Sequence, residues 1–315
     1  MDTMNQTEIL TALKRQIRRE QEALPPAAVQ MAEAIQTKHG GCIRAFLYYG
    51  SSRREGQVST KMLDFYVLVD AYRDIHGRGL KQLASILVPP SVHYLEIRSE
   101  TGEILRCKYA VMSERAFHRR TSGGAFESML WGRFAQPVLI KADTEARYEK
   151  LVGTLAGACL HLAMETLPLL RSPSEIDELW ARGLCESYRT ELRPETPMAR
   201  SRELVARFDG RYGALTDAIF GGGQEGRRAA IAQTGWLDRQ RARLRWAARR
   251  ILGKVMAATR VLKAAFTFDA GLDYILEKIE GHSKARIKVT ESERRHPVLH
   301  SPVLAWKIFR ARALR

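Results

Sequence analysis

Phe46-Leu47-Tyr48-Tyr49-Gly50-Ser51, followed across a polar loop by Met62-Leu63-Asp64-Phe65-Tyr66-Val67-Leu68-Val69, is the stretch on which the reading of this chain turns. Residues 43–49 and 63–69 are short apolar, aromatic and β-branched runs, so they read as two strands joined by residues 50–61. Upstream, residues 7–39 have helical composition broken at Pro25-Pro26, and Gly40-Gly41 ends the second helix. Downstream, residues 92–97 and 104–112 flank Glu100-Thr101-Gly102-Glu103, the turn signal of a hairpin. Past Pro137-Val138-Leu139-Ile140 the character changes, since residues 143–167 and 173–189 carry helical periodicity with Pro168 and Pro173 as punctuation. Gly221-Gly222-Gly223 is the clearest linker, because three glycines carry high backbone entropy. The expected fold class is α+β: a mixed sheet with flanking helices over residues 1–142, a mainly helical domain over 143–223, and a basic amphipathic helical region over 224–315.

Composition sets the outer bounds. A chain of 315 residues that is 45% hydrophobic can bury a substantial core. Fifty-one lysines and arginines against 35 acidic residues leave +16, an excess that draws the protein towards polyanions, either nucleic acid or an anionic bilayer. Residues 151–162 and 257–268 are the longest apolar runs, and both are too short or too interrupted for the roughly 18 to 20 residues of a membrane span. Lys14, Arg15, Arg18, Arg19 and Glu20 stand where a signal peptide needs its apolar core, so a cytoplasmic protein is expected. Cys42, Cys107, Cys159 and Cys185 lack paired short spacing, which points away from a zinc site or a disulfide framework.

The loop between the two strands suits phosphate chemistry. Gly50 would let the backbone approach phosphate oxygens, Ser51 and Ser52 offer hydroxyl donors, and Arg53, Arg54 and Lys61 add positive charge. Asp64, on the strand that follows, would set a carboxylate against a metal held on those phosphates. An ordinary hairpin fits the local pattern equally well, because glycine and serine are common turn residues. Lys108 lies mid-strand in an apolar context, where its charge needs a partner, either phosphate or a structural acid. Asp70 and Glu96 are the candidates for a second metal-binding carboxylate. Asp70 shares a face with Asp64 but lies six residues along, roughly 20 Å in an extended strand. Glu96 could come beside Asp64 from a neighbouring strand, or be an exposed edge glutamate. His296 and His300 have a ligand-like spacing, but Pro297 and Pro302 argue against the helix it requires.

Nucleotidyltransferases usually carry two carboxylates two residues apart on such a strand, and here the second position is Tyr66. A closer likeness accommodates it. Tyr49-Gly50-Ser51, Leu63-Asp64-Phe65, Val69-Asp70 and then His76 resemble the mitochondrial translocator-assembly-and-maintenance type of phosphatidate cytidylyltransferase, a family with bacterial relatives and an apolar residue where Tyr66 stands. The resemblance continues through Val92, Tyr94, Gly102, Lys108-Tyr109 with Val111 and Ser113, Gly132-Arg133 and Pro137-Val138. It spans residues 46–140, with a fainter echo at Gly183-Leu184, Ser187-Tyr188 and Arg189. It implies a nucleotidyltransferase-like fold and a magnesium-dependent reaction in which CTP and phosphatidic acid give CDP-diacylglycerol and pyrophosphate for phospholipid synthesis. It also implies a peripheral place on the inner face of the bacterial cell membrane, matching the mitochondrial inner membrane of the eukaryotic relatives. On that basis Gly50, Ser51, Ser52 and His76 would bind the nucleotide, Asp64 with Asp70 or Glu96 the magnesium ion, and Lys108 phosphate.

Residues 225–265 hold eleven lysines and arginines against two acids. Leu244, Ala248, Ile251, Val255, Ala258, Leu262 and Phe266 recur at helical steps as one apolar stripe, bordered by Arg243, Arg249, Arg250, Lys254, Arg260 and Lys263, with Trp246 near its edge. Such a helix could pack on its own domain; with a lipid substrate, the expectation is that it lies on an anionic membrane surface. Residues 303–313, with Trp306, Lys307, Phe309, Arg310 and Arg312, form a second short candidate. No nucleic-acid partner is expected, because the cations border an apolar stripe rather than aromatic stacking platforms. The rival readings are a nucleotidyltransferase acting on RNA or a small acceptor, and a non-catalytic membrane-binding protein of the same fold. The sequence sets no oligomeric state.

Overall fold

The structure, a computed structural model, describes residues 5–50, 62–100, 102–192, 196–221, 224–267 and 289–292. Ser51, Ser52, Arg53, Arg54 and Lys61, the side chain of Leu262, the candidate helix at 303–313, His296 and His300 lie outside the described residues.

The chain enters through α1 (Gln6–Arg19), started by a capping box in which Asn5 accepts from the Thr7 amide and Glu8 accepts from the Asn5 amide. After Pro25, α2 (Pro26–Lys38) opens with proline at its first position, where no helical amide bond is lost. The two expected strands follow as β1 (Ile43–Tyr49) and β2 (Leu63–Val69), paired antiparallel with Tyr49 opposite Asp64. Short helices α3 (Arg73–His76) and α4 (Leu80–Leu87) lead to the hairpin of β3 (Ser91–Arg98) and β4 (Ile104–Ser113). Then come α5 (Glu114–Thr121), α6 (Met129–Phe134) and β5 (Leu139–Ala142), which returns antiparallel to β1. The described strands make one five-stranded mixed sheet in the order β3-β4-β2-β1-β5, with β2 and β4 parallel. Among the described residues, those after β5 are mainly helical: α7 (Glu145–Thr166), α8 (Leu179–Tyr188), α9 (Pro197–Arg207), α10 (Asp209–Phe220), α11 (Gln224–Ala232) and α12 (Trp236–Thr267). The α+β architecture expected from the sequence is the one observed.

Strand alternation sorts the core into two layers. Ala45, Leu47, Tyr66, Leu68, Ala110 and Met112 face α1, α5, α6 and α7, in a cluster that continues through α8 to Trp246 of α12. Phe46, Tyr48, Phe65, Val67, Cys107, Tyr109 and Val111 face the other way, onto Ala28, Met31, Ala32 and Ile35 of α2. One helical stretch among the described residues, Glu145–Leu169, has the length and hydropathy to cross a membrane, which the sequence reading did not anticipate because α7 continues into a 3-10 turn. Its most apolar window is 61% buried inside the protein, as a core helix would be.

The basic helix departs most from expectation. Trp246 is fully buried, with Nε1 donating to the Glu165 carbonyl at 3.0 Å and its ring edge-on to Trp131 at 5.6 Å. Arg249, 3% exposed, donates to the Phe126 carbonyl at 2.9 Å and the Glu165 carboxylate at 2.6 Å. Arg250 reaches the fully buried Glu186 at 2.8 Å. Lys263 Nζ donates to the Val88 and Pro90 carbonyls at 2.6 and 2.7 Å. Of the expected membrane contacts, Trp246, Arg249 and Lys263 therefore turn inward, while Arg250 stays partly exposed as it pairs with Glu186. Arg243 and Lys254 are exposed, as are Leu244, Ile251 and Val255 of the apolar stripe. The physical reason is pairing: arginine can be buried when a carboxylate meets it, and acids from remote segments do so here. At Gly253 the helix presses so close to Thr190 that an added Cβ would sit 2.6 Å from its carbonyl oxygen.

Candidate active site on one face of the sheet

Gly50 closes β1 with φ +96, a conformation that L side chains rarely adopt. A Cβ built there would lie 2.6 Å from Oδ2 of Asp64, so only glycine lets the strand end turn against that carboxylate. Register then places Tyr49, Asp64, Lys108 and Tyr94 in one row across β1, β2, β4 and β3, all on the same face. The sheet thus sets Asp64 and Lys108, each singled out separately from the sequence, opposite each other on neighbouring strands.

The next row inward explains Tyr66. Its ring, 1% exposed, packs edge-on against Phe134 at 4.9 Å and lies 5.5 Å from that of Tyr49. An aromatic wall stands where a second carboxylate would be. Arg133, from α6, donates from Nη1 to the hydroxyls of Tyr49 and Tyr66, each at 3.5 Å, and from Nη2 to Glu191 at 3.0 Å. Burial works against its charge, but Tyr66, Glu191, Tyr49 and Asp64 outweigh that penalty and hold its pKa above the usual value. Burial pushes the Tyr49 hydroxyl in the same upward direction, so it stays protonated.

Beside Lys108 a cavity of about 220 Å³ opens between the sheet and α12, lined among others by Glu127, Met129, Glu191, Leu192 and Arg260. Arg260 grips both oxygens of Glu127, at 2.5 and 2.7 Å, and Arg120 meets the same carboxylate at 2.8 Å. Arg133, Glu191, Glu127 and Arg260 were not singled out as site residues from the sequence. The available signal was Arg133 beside Gly132 in an otherwise apolar helix, Met129–Phe134, where a buried guanidinium demands partners.

Other candidates lie elsewhere. Asp70, past the far end of β2, is bound to Arg44 at 2.8 Å and lies 3.7 Å from Arg147; in so extended a strand it cannot share an ion with Asp64. Glu96 is not on the strand next to β2, because β4 intervenes; it registers with Arg106 rather than Lys108, on the order of 12 Å from Asp64 by strand spacing. Arg106 at 3.0 Å and the Tyr94 hydroxyl at 2.9 Å occupy its carboxylate and hold its pKa below the usual range. His76 stacks on His93 at 5.7 Å, and His93 on Tyr109 at 5.2 Å, on the α2 side of the sheet. It therefore lies on the face of the sheet opposite Asp64, apart from the row that the other candidates share.

Asp64 is a hard oxygen donor of the kind a divalent cation takes, and the Gly50 backbone lies close against its Oδ2. Among the described residues no group of three histidine, cysteine, aspartate or glutamate side chains is gathered to hold a metal. The remaining ligands would come from beyond those residues, from substrate phosphate or from water.

No protein-family model matches the chain, and no curated protein does. Among solved structures, a nucleotidyltransferase-like protein from Exiguobacterium sibiricum is similar over 89% of this chain and 91% of that one, with 13% identity and a TM-score of 0.29.

Proposed function

We propose that this protein is a nucleotidyltransferase that transfers a cytidylyl group from CTP to phosphatidic acid, releasing pyrophosphate and forming CDP-diacylglycerol. The observation that carries the nucleotidyl-transfer reading is the contact of Gly50 with Asp64, one strand from Lys108. It supplies a backbone turn without a side chain, a carboxylate and a cation within one short row. Support for cytidine and for the lipid acceptor comes from the likeness of residues 46–140 to phosphatidate cytidylyltransferases.

In this reading Asp64 would hold a magnesium ion, and such an ion would supply charge neutralisation at the phosphates. Gly50 turns the backbone beneath the phosphates, where Ser51 and Ser52 would donate their hydroxyls. Lys108 places its ammonium beside that row and offsets negative charge as the bond to pyrophosphate lengthens. Arg133 keeps the Asp64 surroundings positive while fixing Tyr49 and Tyr66 through their hydroxyls. No protein base is needed at the acceptor, because a phosphate monoester with a second pKa of about 6 is largely ionised near neutrality. The acceptor reaches the site at a membrane surface. Arg243, Lys254 and the outward leucines of α12 are suited to that approach, whereas Trp246, Arg249, Arg250 and Lys263 hold the helix to the body.

The test is turnover on phosphatidic acid liposomes with labelled CTP and magnesium. Labelled CDP-diacylglycerol and stoichiometric pyrophosphate are expected. Folded protein that yields no product with any of the four nucleoside triphosphates would overturn the reading.

A further inference from the structure

Helix α4 is built inside out. Its one buried residue is Ser85, whose hydroxyl lies 2.5 Å from that of Ser91, while Leu80, Leu83, Ile86 and Leu87 are 84, 51, 51 and 63% exposed. A free helix of eight residues is not stable in water, so its end must be fixed by the fold. That fixing is visible: Lys263 clasps the carbonyls of Val88 and Pro90, and Arg260 donates to the Pro89 carbonyl at 3.0 Å. Two buried or half-buried cations of α12 thus secure the foot of a helix whose apolar side chains point to solvent.

We propose that α4 is a wedge that inserts these four side chains into a lipid bilayer with anionic headgroups. Size argues against a protein partner. Four such side chains make a patch on the order of 400 Å², within the range of functional surface patches but well below the roughly 800 Å² per partner of a stable protein interface. Charge argues for the anionic surface: within residues 73–87 Arg73, Arg78 and Lys81 stand exposed against one acid, Asp74, which lies 3.8 Å from Arg73. The wedge goes beyond the proposed reaction and does not depend on it, since docking requires neither CTP nor turnover.

The experiment is sedimentation of the full chain with vesicles of phosphatidylcholine alone and of phosphatidylcholine mixed with phosphatidylglycerol. The unaltered protein should pellet with the mixed vesicles. The pair Leu80→Asp/Leu83→Asp should bind them at least about tenfold more weakly with an unchanged melting curve, because two exposed apolar anchors are lost. Leu80→Met/Leu83→Met should bind as the parent does, and the emission of Leu83→Trp should shift to the blue only on mixed vesicles. Undiminished binding of the aspartate pair overturns the proposal, and so does failure of the parent to bind. Self-association of the parent without lipid that the aspartate pair abolishes also overturns it, by assigning the patch to a second copy. Turnover of detergent-dispersed short-chain phosphatidic acid should be equal in parent and aspartate pair, which reads the chemistry separately from docking.

Discussion

On one face of the sheet Tyr49, Asp64, Lys108 and Tyr94 stand in a row; one residue along, on the opposite face, Tyr48, Phe65, Tyr109 and His93 do the same. The first row meets charges brought by other segments, Arg133 and Glu191 among them. The second meets α2 and keeps its titratable groups neutral. Burial, then neighbouring charges such as His76, His39 and Lys263, pull His93 down to about 3; burial, then Lys263, Lys81 and His39, pull His76 down to about 4. His39 ties the layer together through Nε2 and the Tyr109 hydroxyl at 2.9 Å. A single set of strands thus separates a polar surface fit for charged substrates from a layer that excludes charge, and the separation depends only on odd and even positions.

The largest effect that could break this contrast is on turnover. Asp64→Asn should lower kcat by on the order of a thousandfold with no change in melting, whereas His93→Phe should leave turnover near the parent value. Equal losses from the two would abolish the distinction between faces. Next is the anchoring of the polar side, which α12 overhangs through ion pairs. Arg249→Ala strips Glu165 of its closest cation and should destabilise the fold by about 3 kcal/mol, read from urea unfolding.

The smallest effect sharpens the contrast from the opposite face. His76 and His93 have folded pKa values below the unfolded value of about 6.5, so the unfolded chain binds protons first as pH falls. Their contribution to stability is complete above about pH 6.5 and is lost as pH drops from there towards 4. Thermal melts across that window should show a loss of about 1–2 kcal/mol in the parent that His93→Phe reduces by about half, leaving the share of His76.

Much of this was legible in the sequence because it is local. The β1 and β2 runs, the β3–β4 hairpin turn and the proline and glycine stops each declare themselves within a few residues, and even spacing puts Asp64 and Tyr66 on one face. What escaped was set by distant partners. Glu96 seemed adjacent to Asp64 until the parallel pairing of β2 with β4 pushed β3 to the edge. His76 follows β2 closely in sequence, but α3 delivers it to the α2 side. The orientation of α12 was illegible for a stronger reason. Its amphipathic pattern is real, but Glu127, Glu165 and Glu186 sit 64 to 133 residues away from the arginines they pair with, and no local rule signals those partners.

The pairing of Trp131 with Trp246 joins a helix beside the sheet to the long helix α12, with the Arg249 guanidinium 5.2 and 5.0 Å from the two rings. Two indoles held edge-on beneath a cation form an optical gauge: their near-ultraviolet dichroism reports whether α12 is seated on the core that it shares with the sheet.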